Sequence, residues 1–264
     1  MYRRIIFTSI VLIIILSIMA GGSKTVGDEQ IDINEDIDIG KDGVLVDMAG
    51  RTVILPDNVE KAFSLGPVGT IILYSLNPDK MAGWNYELRD GEKKYISKKY
   101  HDLPNLGGAS NESINAEEVL KVNPDILIMM TTIDKTAISE ANGLEKQLGK
   151  PVFILDENIN RIGEVYRLLG KVVDEEKKAE ELAEYCQDTL NKMERGLTKI
   201  TKDEKIRVYY AEGPDGLQTE PSGAWHAEVL DMVGGYNVAQ VNIQEGKGRS
   251  EISIEQLLSW NPDL

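Results

Sequence analysis

The chain has 264 residues, a formal net charge of −15 and a sequence pI near 4.7. Because a phosphate backbone is bound by clustered Lys and Arg, an acidic chain without a basic run is not expected to bind nucleic acid. A single cysteine excludes an internal disulfide, and two histidines leave little for a His-rich metal cage. Hydrophobic residues make up 42% of the chain, enough for a soluble protein with more than one lobe.

The first 22 residues are typical of a secretory signal. Arg3 and Arg4 precede an apolar run over 5–20, and small residues follow it. A helix over that run reaches about 24 Å, short of the roughly 30 Å hydrocarbon core of a membrane. We therefore expect residues 1–22 to be a cleaved signal peptide, with a retained N-terminal membrane anchor as the alternative. Either way, the mature chain is predicted to lie outside the cytoplasmic membrane.

An acidic linker is predicted over residues 23–43. This segment (SKTVGDEQIDINEDIDIGKDG) contains no aromatic residue and shows no helical period. Such a composition favours a disordered tether, because it offers little apolar surface to bury. The alternation of Ile and Asp is also found in strands, which is the alternative interpretation.

Residues 44–157 are predicted to form an α/β lobe. Asn115 and Glu118 have the spacing of a capping box, which satisfies free N–H groups at a helix start. Strands that alternate with helices predict a parallel sheet with helices on its faces. The predicted elements are a β-hairpin over 44–56, a strand over 61–67, a helix over 70–76, a strand over 80–84, an irregular segment over 85–112, a helix from Asn115 to Pro124, a strand over 125–131, a helix over 134–148 and a strand over 151–155.

Bridging helices are predicted over residues 158–204. Gly170 marks a possible break, and Asp174 is a candidate N-cap for the second helix. From Asp174 to Leu197 the apolar residues recur at steps of three and four, so they trace one helical stripe. A helix of this length measures about 36 Å, which suits a rod that joins two lobes. Cys186 lies on the stripe and is interpreted as a buried core thiol.

A second α/β lobe is predicted over 205–264, with a strand over 205–212, a Gly/Pro-rich loop over 213–223 and a helix over 225–234. The segment INAEEVLKVNPDI (114–126) aligns without gaps to ISIEQLLSWNPDL (252–264), and Ser253 and Gln256 repeat the capping box. A duplicated helix–strand unit on either side of a long helix predicts two similar lobes.

Four blocks of sequence resemble the iron-complex and vitamin B12 class of ABC-transporter substrate-binding proteins. The blocks are VLVDMAGRTVILPDNVEKAFSLGP, SINAEEVLKVNPDILI, AEGPDGLQTEPSGAWHAEVLDMVGGYNVA and SIEQLLSWNPDL, in that order along the chain. The resemblance implies the class III fold, in which two parallel-sheet, Rossmann-like lobes are joined by one long helix and hold ligand between them. It also implies a monomer without cofactor or catalytic activity that works near the membrane, taking a small-molecule metal chelate to an ABC permease and its ATPase.

Relatives in this class continue beyond the position of Leu264. We therefore expect the second lobe to be incomplete and the chain to be C-terminally truncated. An incomplete lobe leaves apolar helix faces uncovered, so we expect the 264-residue chain to bind ligand poorly and to aggregate.

The resemblance also implies two sets of functional residues. Glu117 and Glu255 are predicted to dock onto permease arginines, the alternative being that each only favours its helix N-terminus. Ligand in a parallel α/β sheet meets the loops after the strands. Trp84 is alternatively a core residue, and His226 alternatively caps its helix or faces solvent; no metal ligand is directly assignable. The predicted cleft residues are Gly66, Pro67, Trp84, Tyr86, Gly107, Gly108, Thr131, Thr132, Glu212, Trp225, His226 and Arg249.

The predicted function is the capture of a siderophore-type iron chelate for an ABC importer. Cobalamin, haem and oxyanions such as molybdate are alternative ligands, while a non-transporting sensor or a truncated relic are alternative roles. An enzyme is not expected, because the sequence contains no G-x-S-x-G elbow, no H-E-x-x-H and no P-loop.

Overall fold

The computed structural model describes residues 43–108, 113–201, 204–242 and 248–264. The predicted leader over 1–22 and nearly all of the predicted linker over 23–43 lie outside the described residues. Within the part of the chain that is described, we find no helix with the length and apolar character needed to cross a bilayer.

The first described element is the predicted hairpin. Strands β1 (Val44–Val46) and β2 (Thr52–Ile54) pair in antiparallel register. The turn between them is closed by Asp47, whose carboxylate accepts hydrogen bonds from the backbone N–H groups of Ala49 and Arg51. The prediction of a hairpin over 44–56 is therefore confirmed.

A parallel sheet forms the centre of the first half, as predicted. Strands β3 (Ala62–Ser64), β4 (Ile126–Thr131) and β5 (Val152–Asp156) lie side by side in that order. Both of its faces are covered, so the three strands read as continuous apolar runs. The helices of this half are α1 (Pro67–Leu76), α2 (Ala116–Val122) and α3 (Lys135–Leu148). Its core includes the fully buried Phe63, Leu106, Val119, Leu127, Val152 and Ile154.

The predicted strand over 80–84 is wrong in detail. Residues 78–80 form a 3₁₀ turn. Met81 and Trp84 each make a single parallel bridge, to Ala62 and to Asn105 respectively. The segment extends the sheet beyond β3 without becoming a continuous strand, because its pairing partner changes from Ala62 at Met81 to Asn105 at Trp84.

Two helices follow the sheet, and their junction differs from the prediction. Helix α4 (Ile162–Val172) contains Gly170, and α5 begins only at Glu176 and runs to Leu197. Gly170 permits close packing, because a Cβ there would overlap Ala179 of α5. The chain reverses instead at Asp174, whose φ of 54° is left-handed, so the N-cap is Glu175 and not Asp174.

Helix α5 is the predicted long rod, with 22 residues. Only its first half is firmly packed, through the buried Ala179 and Ala183 against α4. Cys186 is half-buried rather than buried, and that partial burial raises the pKa of its thiol.

The second half contains shorter elements than predicted. Strand β6 (Arg207–Val208) covers two residues of the predicted 205–212, and the predicted loop over 213–223 includes β7 (Gln218–Thr219). The predicted helix over 225–234 divides into a 3₁₀ turn over Trp225–Ala227 and α6 (Glu228–Met232). The remaining elements are β8 (Tyr236–Asn237), parallel to β6, β9 (Ser250–Glu251), antiparallel to β7, and α7 (Ile254–Trp260).

The duplicated segment forms the same structure twice. Helices α2 and α7 have seven residues each, and their N-cap side chains Asn115 and Ser253 accept from the third residue of the helix. Both helices end at a left-handed asparagine, Asn123 or Asn261. The predicted internal repeat is therefore present in the backbone.

The aspartate after each repeat helix also has the same partners. The Asp125 carboxylate accepts from the N–H of Lys61 just before β3, and the Asp263 carboxylate accepts from the N–H of Arg207 in β6. In return, the N–H of each aspartate donates to the carbonyl of the same partner residue. The repeat thus sets the register between its helix and the neighbouring strand.

Candidate ligand site

A buried asparagine organises the loops at the carboxyl edge of β3. The Asn85 amide donates to the carbonyl oxygens of Ser64 and Gly107, each at 2.9 Å. Its oxygen accepts from the Thr70 hydroxyl in the first turn of α1. One side chain therefore fixes three of the segments that carry predicted cleft residues.

Gly107 and Gly108 have conformations that only glycine adopts easily. Their φ angles are 78° and 93°. A Cβ on Gly108 would overlap the Leu65 carbonyl oxygen, and one on Gly107 would lie 2.7 Å from the Ser113 carbonyl oxygen. These glycines bring their loop against the residues that follow β3.

The start of α1 lies at the same edge. Gly66 is its N-cap and provides no side chain to the free N–H groups, while Pro67 occupies the first turn. The first turn carries no acidic side chain, and a Cβ on Gly66 would meet open space. This helix terminus therefore offers partial positive charge at an accessible position.

Trp84 and Tyr86 line a shallow pocket of about 370 Å³ together with His101 and Lys93. Trp84 is buried, its indole N–H donates to the Tyr100 carbonyl, and its ring packs on Tyr74, so it is also a core residue. Tyr86 is half-buried, and burial together with the nearby Glu92 carboxylate raises the pKa of its phenol.

Thr131 and Thr132 follow β4 at the carboxyl edge of the same sheet. Thr131 pairs with Asp156 of β5 and is half-buried, whereas Thr132 is exposed and its hydroxyl donates to Glu157. Gly66 and Pro67 after β3, and Thr131 and Thr132 at the end of β4, therefore lie at the ends of two neighbouring strands.

The second-half candidates form a charged cluster. The Glu212 carboxylate pairs with the Arg249 guanidinium at 3.1 Å, and the His226 ring nitrogen Nδ1 lies 2.6 Å from the Glu220 carboxylate. Glu220 also accepts from the backbone N–H of His226. Trp225 stands beside this cluster with 69% of its surface exposed, so its indole is available to a ligand.

Short strand pairings bring these charges together. Glu212 bridges Gln218 of β7, Glu220 follows β7, and Arg249 precedes β9, which pairs with β7. His226 lies in the 3₁₀ turn that follows Glu220. The four side chains thus come from adjacent turns of one small sheet.

The two predicted docking glutamates occupy equivalent positions. Glu117 and Glu255 are each the second residue of a repeat helix, and both are exposed. Glu117 is 80% exposed and lies 3.3 Å from Lys121 of its own helix. Backbone and Ser253 hydrogen bonds lower the pKa of Glu255, which keeps it ionised.

Asn85, Asn237 and Glu220 contribute to these clusters but were not among the predicted residues. Asn237 lies at the end of β8, is buried, and donates to the Glu220 carbonyl. The only sequence signal for the two asparagines is an aromatic–Asn pair, Trp84-Asn85 and Tyr236-Asn237, at the end of a short apolar segment in each half.

Solved structures with the same fold are ABC-transporter binding proteins. An ABC transporter solute binding protein from Sulfurospirillum deleyianum aligns with a TM-score of 0.76 and 28% identity, over 84% of this chain and 70% of that one. The molybdate-bound MolA of Haemophilus influenzae aligns with a TM-score of 0.61 and 20% identity, over 83% of this chain and 72% of that one. The class III α/β fold that the sequence predicts is confirmed.

Family membership follows from the sequence. The pattern of the family described as "Periplasmic binding protein" matches residues 80–264, and the chain belongs to this family. Curated relatives include the molybdate-binding protein MolA of Haemophilus influenzae, 24% identical over 84% of this chain and 67% of that protein. The vitamin B12-binding protein of Vibrio cholerae is 25% identical over 79% of this chain and 70% of that protein.

The chain spans about two thirds of the length of the first curated relatives that it matches. Its family identifies it as a non-enzymatic, extracytoplasmic substrate-binding component of an ABC transporter. The predicted resemblance to the iron-complex and vitamin B12 class is thereby confirmed.

Proposed function

We propose that this protein binds an iron chelate of the siderophore type at the outer face of the membrane and delivers it to the permease of an ABC importer. The observation that carries the transport role is the structural equivalence of Glu117 and Glu255. Each stands exposed in the first turn of a capped helix, at the same position of a duplicated unit. A monomer with one carboxylate per half offers a permease two anchoring points.

Paired carboxylates suit docking because they set orientation as well as attraction. An arginine binds a carboxylate through two parallel hydrogen bonds, and two such contacts fix the angle of approach. Glu117 has a lysine neighbour only on its own helix, and Glu255 accepts only local hydrogen bonds among those described. Both carboxylates are therefore accessible to a partner.

The charges of the candidate ligand residues favour a chelate of low charge. The second-half cluster contains two carboxylates and one guanidinium, and that guanidinium is already paired with Glu212. A strongly anionic ferric catecholate would meet net negative charge there. Aromatic surface at Tyr86 and Trp225 suits a largely neutral ferric hydroxamate instead.

An oxyanion such as molybdate is the second candidate, and the start of α1 favours it. Helix N-termini bind anions through free backbone N–H groups and the helix dipole. Gly66 leaves those groups without a side-chain cap. The molybdate-binding relative adds support for this ligand class. Cobalamin and haem are the other ligands that the class makes plausible.

The docking role is tested by the double variant Glu117→Ala/Glu255→Ala with the permease and ATPase reconstituted in proteoliposomes. We expect unchanged ligand affinity and loss of stimulation of the ATPase, because both anchoring carboxylates are gone. Glu181→Ala, at an exposed carboxylate of α5, is the control and should stimulate like the parent chain. Full stimulation by the double variant would refute the docking assignment.

The ligand class is tested on the protein purified directly from its native host. Absorbance and metal analysis of the copurified ligand distinguish a ferric charge-transfer band from a haem Soret band, a corrin spectrum or colourless molybdate. Iron with a charge-transfer band is the expected result. If the copurified ligand contains molybdenum and no iron, the chelate assignment is wrong and the ligand is an oxyanion.

A further inference from the structure

We propose that Glu212, Glu220 and His226 form a binding site for one bare divalent transition-metal ion, distinct from capture of an iron chelate. One carboxylate oxygen of each glutamate and one imidazole nitrogen lie within 4.8 Å of one another. Three donors at such separations can converge on one ion with small side-chain adjustments. The set is one nitrogen and two oxygens.

The scaffold around these donors is rigid on two sides. Glu220 is 1% exposed, and its Oε1 and Oε2 face Nδ1 and the backbone N–H of His226. Gly248 packs so closely that a Cβ there would lie 2.6 Å from Glu220 Oε1. Asn237 holds the Glu220 backbone carbonyl through a 2.8 Å hydrogen bond. Glu220 is therefore held in place before any ligand arrives.

A second, independent observation comes from Glu212, which has a buried carboxylate oxygen without a hydrogen-bond partner among the described residues. Its side chain is 9% exposed, and Oε1 is paired with Arg249. Its Oε2 is buried and has no hydrogen-bond partner among the described residues. A buried carboxylate oxygen left unpaired costs free energy, so it is a candidate ligand atom for a cation.

The donor chemistry selects the class of ion. Imidazole nitrogen with carboxylate oxygen suits Zn²⁺, Fe²⁺, Co²⁺ or Ni²⁺, whereas Mg²⁺ and Ca²⁺ prefer all-oxygen sites. Two carboxylates and a neutral imidazole carry a charge of −2, and Arg249 beside Glu212 brings the cluster to −1, so the site keeps net negative charge to attract a divalent ion. Arg249 keeps its contact with Oε1 and orients Glu212, which leaves Oε2 as the atom available to bind an ion.

This inference goes beyond the proposed function and stands without it. Failure of the docking variants to affect ATPase stimulation would concern transport alone, whereas metal affinity is measured on the isolated chain. The protein is titrated with ZnCl₂ in metal-free buffer by calorimetry, and CoCl₂ serves as a spectroscopic probe of coordination.

We expect one Zn²⁺ per chain. The visible spectrum of bound Co²⁺ should indicate coordination by nitrogen as well as oxygen. Loss of a group that hydrogen-bonds to a metal ligand weakens metal binding by about 10- to 100-fold. Because Glu220→Gln and His226→Gln remove ligands themselves, each should weaken Zn²⁺ binding by at least about 100-fold. Glu220→Gln keeps an acceptor for the His226 N–H, and His226 is largely exposed, so both variants should keep the parent far-UV circular dichroism.

The controls separate this site from general attraction to an acidic chain. His101→Gln removes the other histidine, and Glu251→Gln removes an exposed carboxylate of β9. Both should bind Zn²⁺ like the parent. Absence of stoichiometric Zn²⁺ binding, or parent-like binding by folded Glu220→Gln and His226→Gln, would overturn the proposal.

Discussion

The two halves of the molecule contain the same repeat unit in different surroundings. In the first half the strand after the repeat helix begins at Ile126, which is completely buried between neighbours. The strand that the second repeat contacts, β6, is exposed to half-buried, whereas its counterpart β3 in the first half is buried along its length. The helices α2 and α7 nevertheless have the same length, N-cap contact and left-handed end. Local capping is therefore sufficient to define the helix, whereas the surrounding chain determines the burial.

The halves also differ in what holds their loops. A neutral amide, Asn85, joins the loops of the first half. In the second half the buried Asn237 supports a carboxylate cluster instead. We infer that the first half contributes neutral loops in a fixed arrangement to the candidate ligand site, whereas the second half contributes its charged side chains.

The largest expected effect is in hydrogen exchange. Backbone amides of β4 and β5 should exchange at least about 100-fold more slowly than those of β6 and β8, because short ladders beside exposed apolar side chains open at low cost. Exchange followed by mass spectrometry with peptide resolution measures this contrast. Equal protection in both pairs of strands would show that the second half is as stable as the first.

Asn85→Ala should destabilise the protein by about 3 kcal/mol, because two carbonyls lose the amide that donates to them and the buried Thr70 hydroxyl keeps only its bond to the Gly66 carbonyl. Asn237→Ala, which removes one bond to a carbonyl and one from the Ala239 N–H, should cost about 1 to 2 kcal/mol. Urea unfolding followed by tryptophan fluorescence compares the two variants. A larger cost at Asn237 would reverse the ranking of the halves.

Gly108→Ala should cost about 2 kcal/mol, since the added Cβ overlaps a backbone carbonyl and φ is positive. Gly248→Ala also has a positive φ, but its Cβ meets a side-chain oxygen of Glu220 and no backbone atom. We therefore expect a cost of about 1 kcal/mol there. Thermal melting of both variants tests the difference; a Gly248→Ala variant that is the less stable of the two contradicts it.

The smallest effect concerns the contact between the bridging helices. Arg167 of α4 makes a two-pronged ion pair with Glu180 of α5, which lowers the pKa of Glu180 from its ordinary value. A lowered folded-state pKa gives stability that is present above the unfolded pKa and is lost as pH falls through the folded value. Because the pair is half-exposed, Glu180→Gln should cost less than about 1 kcal/mol near pH 7.

That difference should vanish at an acidic pH below the lowered folded-state pKa, where the carboxylate of the parent chain is protonated in both states. Melting temperatures of the parent and Glu180→Gln at the two pH values provide the measurement. Glu181→Gln, at a neighbouring exposed carboxylate, is the control. A deficit in Glu180→Gln that persists at the low pH would mean that the ion pair is not its source.

The sequence predicted the helices and the central sheet well because their signals are local. Caps at Asn115 and Ser253 and buried apolar runs at β4 and β5 needed no knowledge of distant contacts. The predicted strands over 80–84 and 205–212 were too long. Their pairing is limited to one or two residues, and that limit depends on partners far away in the chain.

The candidate site was predicted only in part for the same reason. Gly107 and Gly108 stand out as a pair in the sequence, and the structure gives each a left-handed conformation. By contrast, Glu220 looks like any other acidic residue of a loop. Its near-complete burial arises from Gly248 and Asn237, neither of which adjoins it in sequence.

The most direct test of the account is whether both halves contribute to one ligand site. The purified chain is titrated with a ferric trihydroxamate chelate by tryptophan fluorescence, beside Tyr86→Ala in the first half, Trp225→Ala in the second and the exposed control Tyr95→Ala. The account predicts weak but stoichiometric binding of one chelate per chain, affinity at least about tenfold weaker still in both site variants, and no change in the control. Binding that depends on only one half, or no binding by the parent chain, would contradict it.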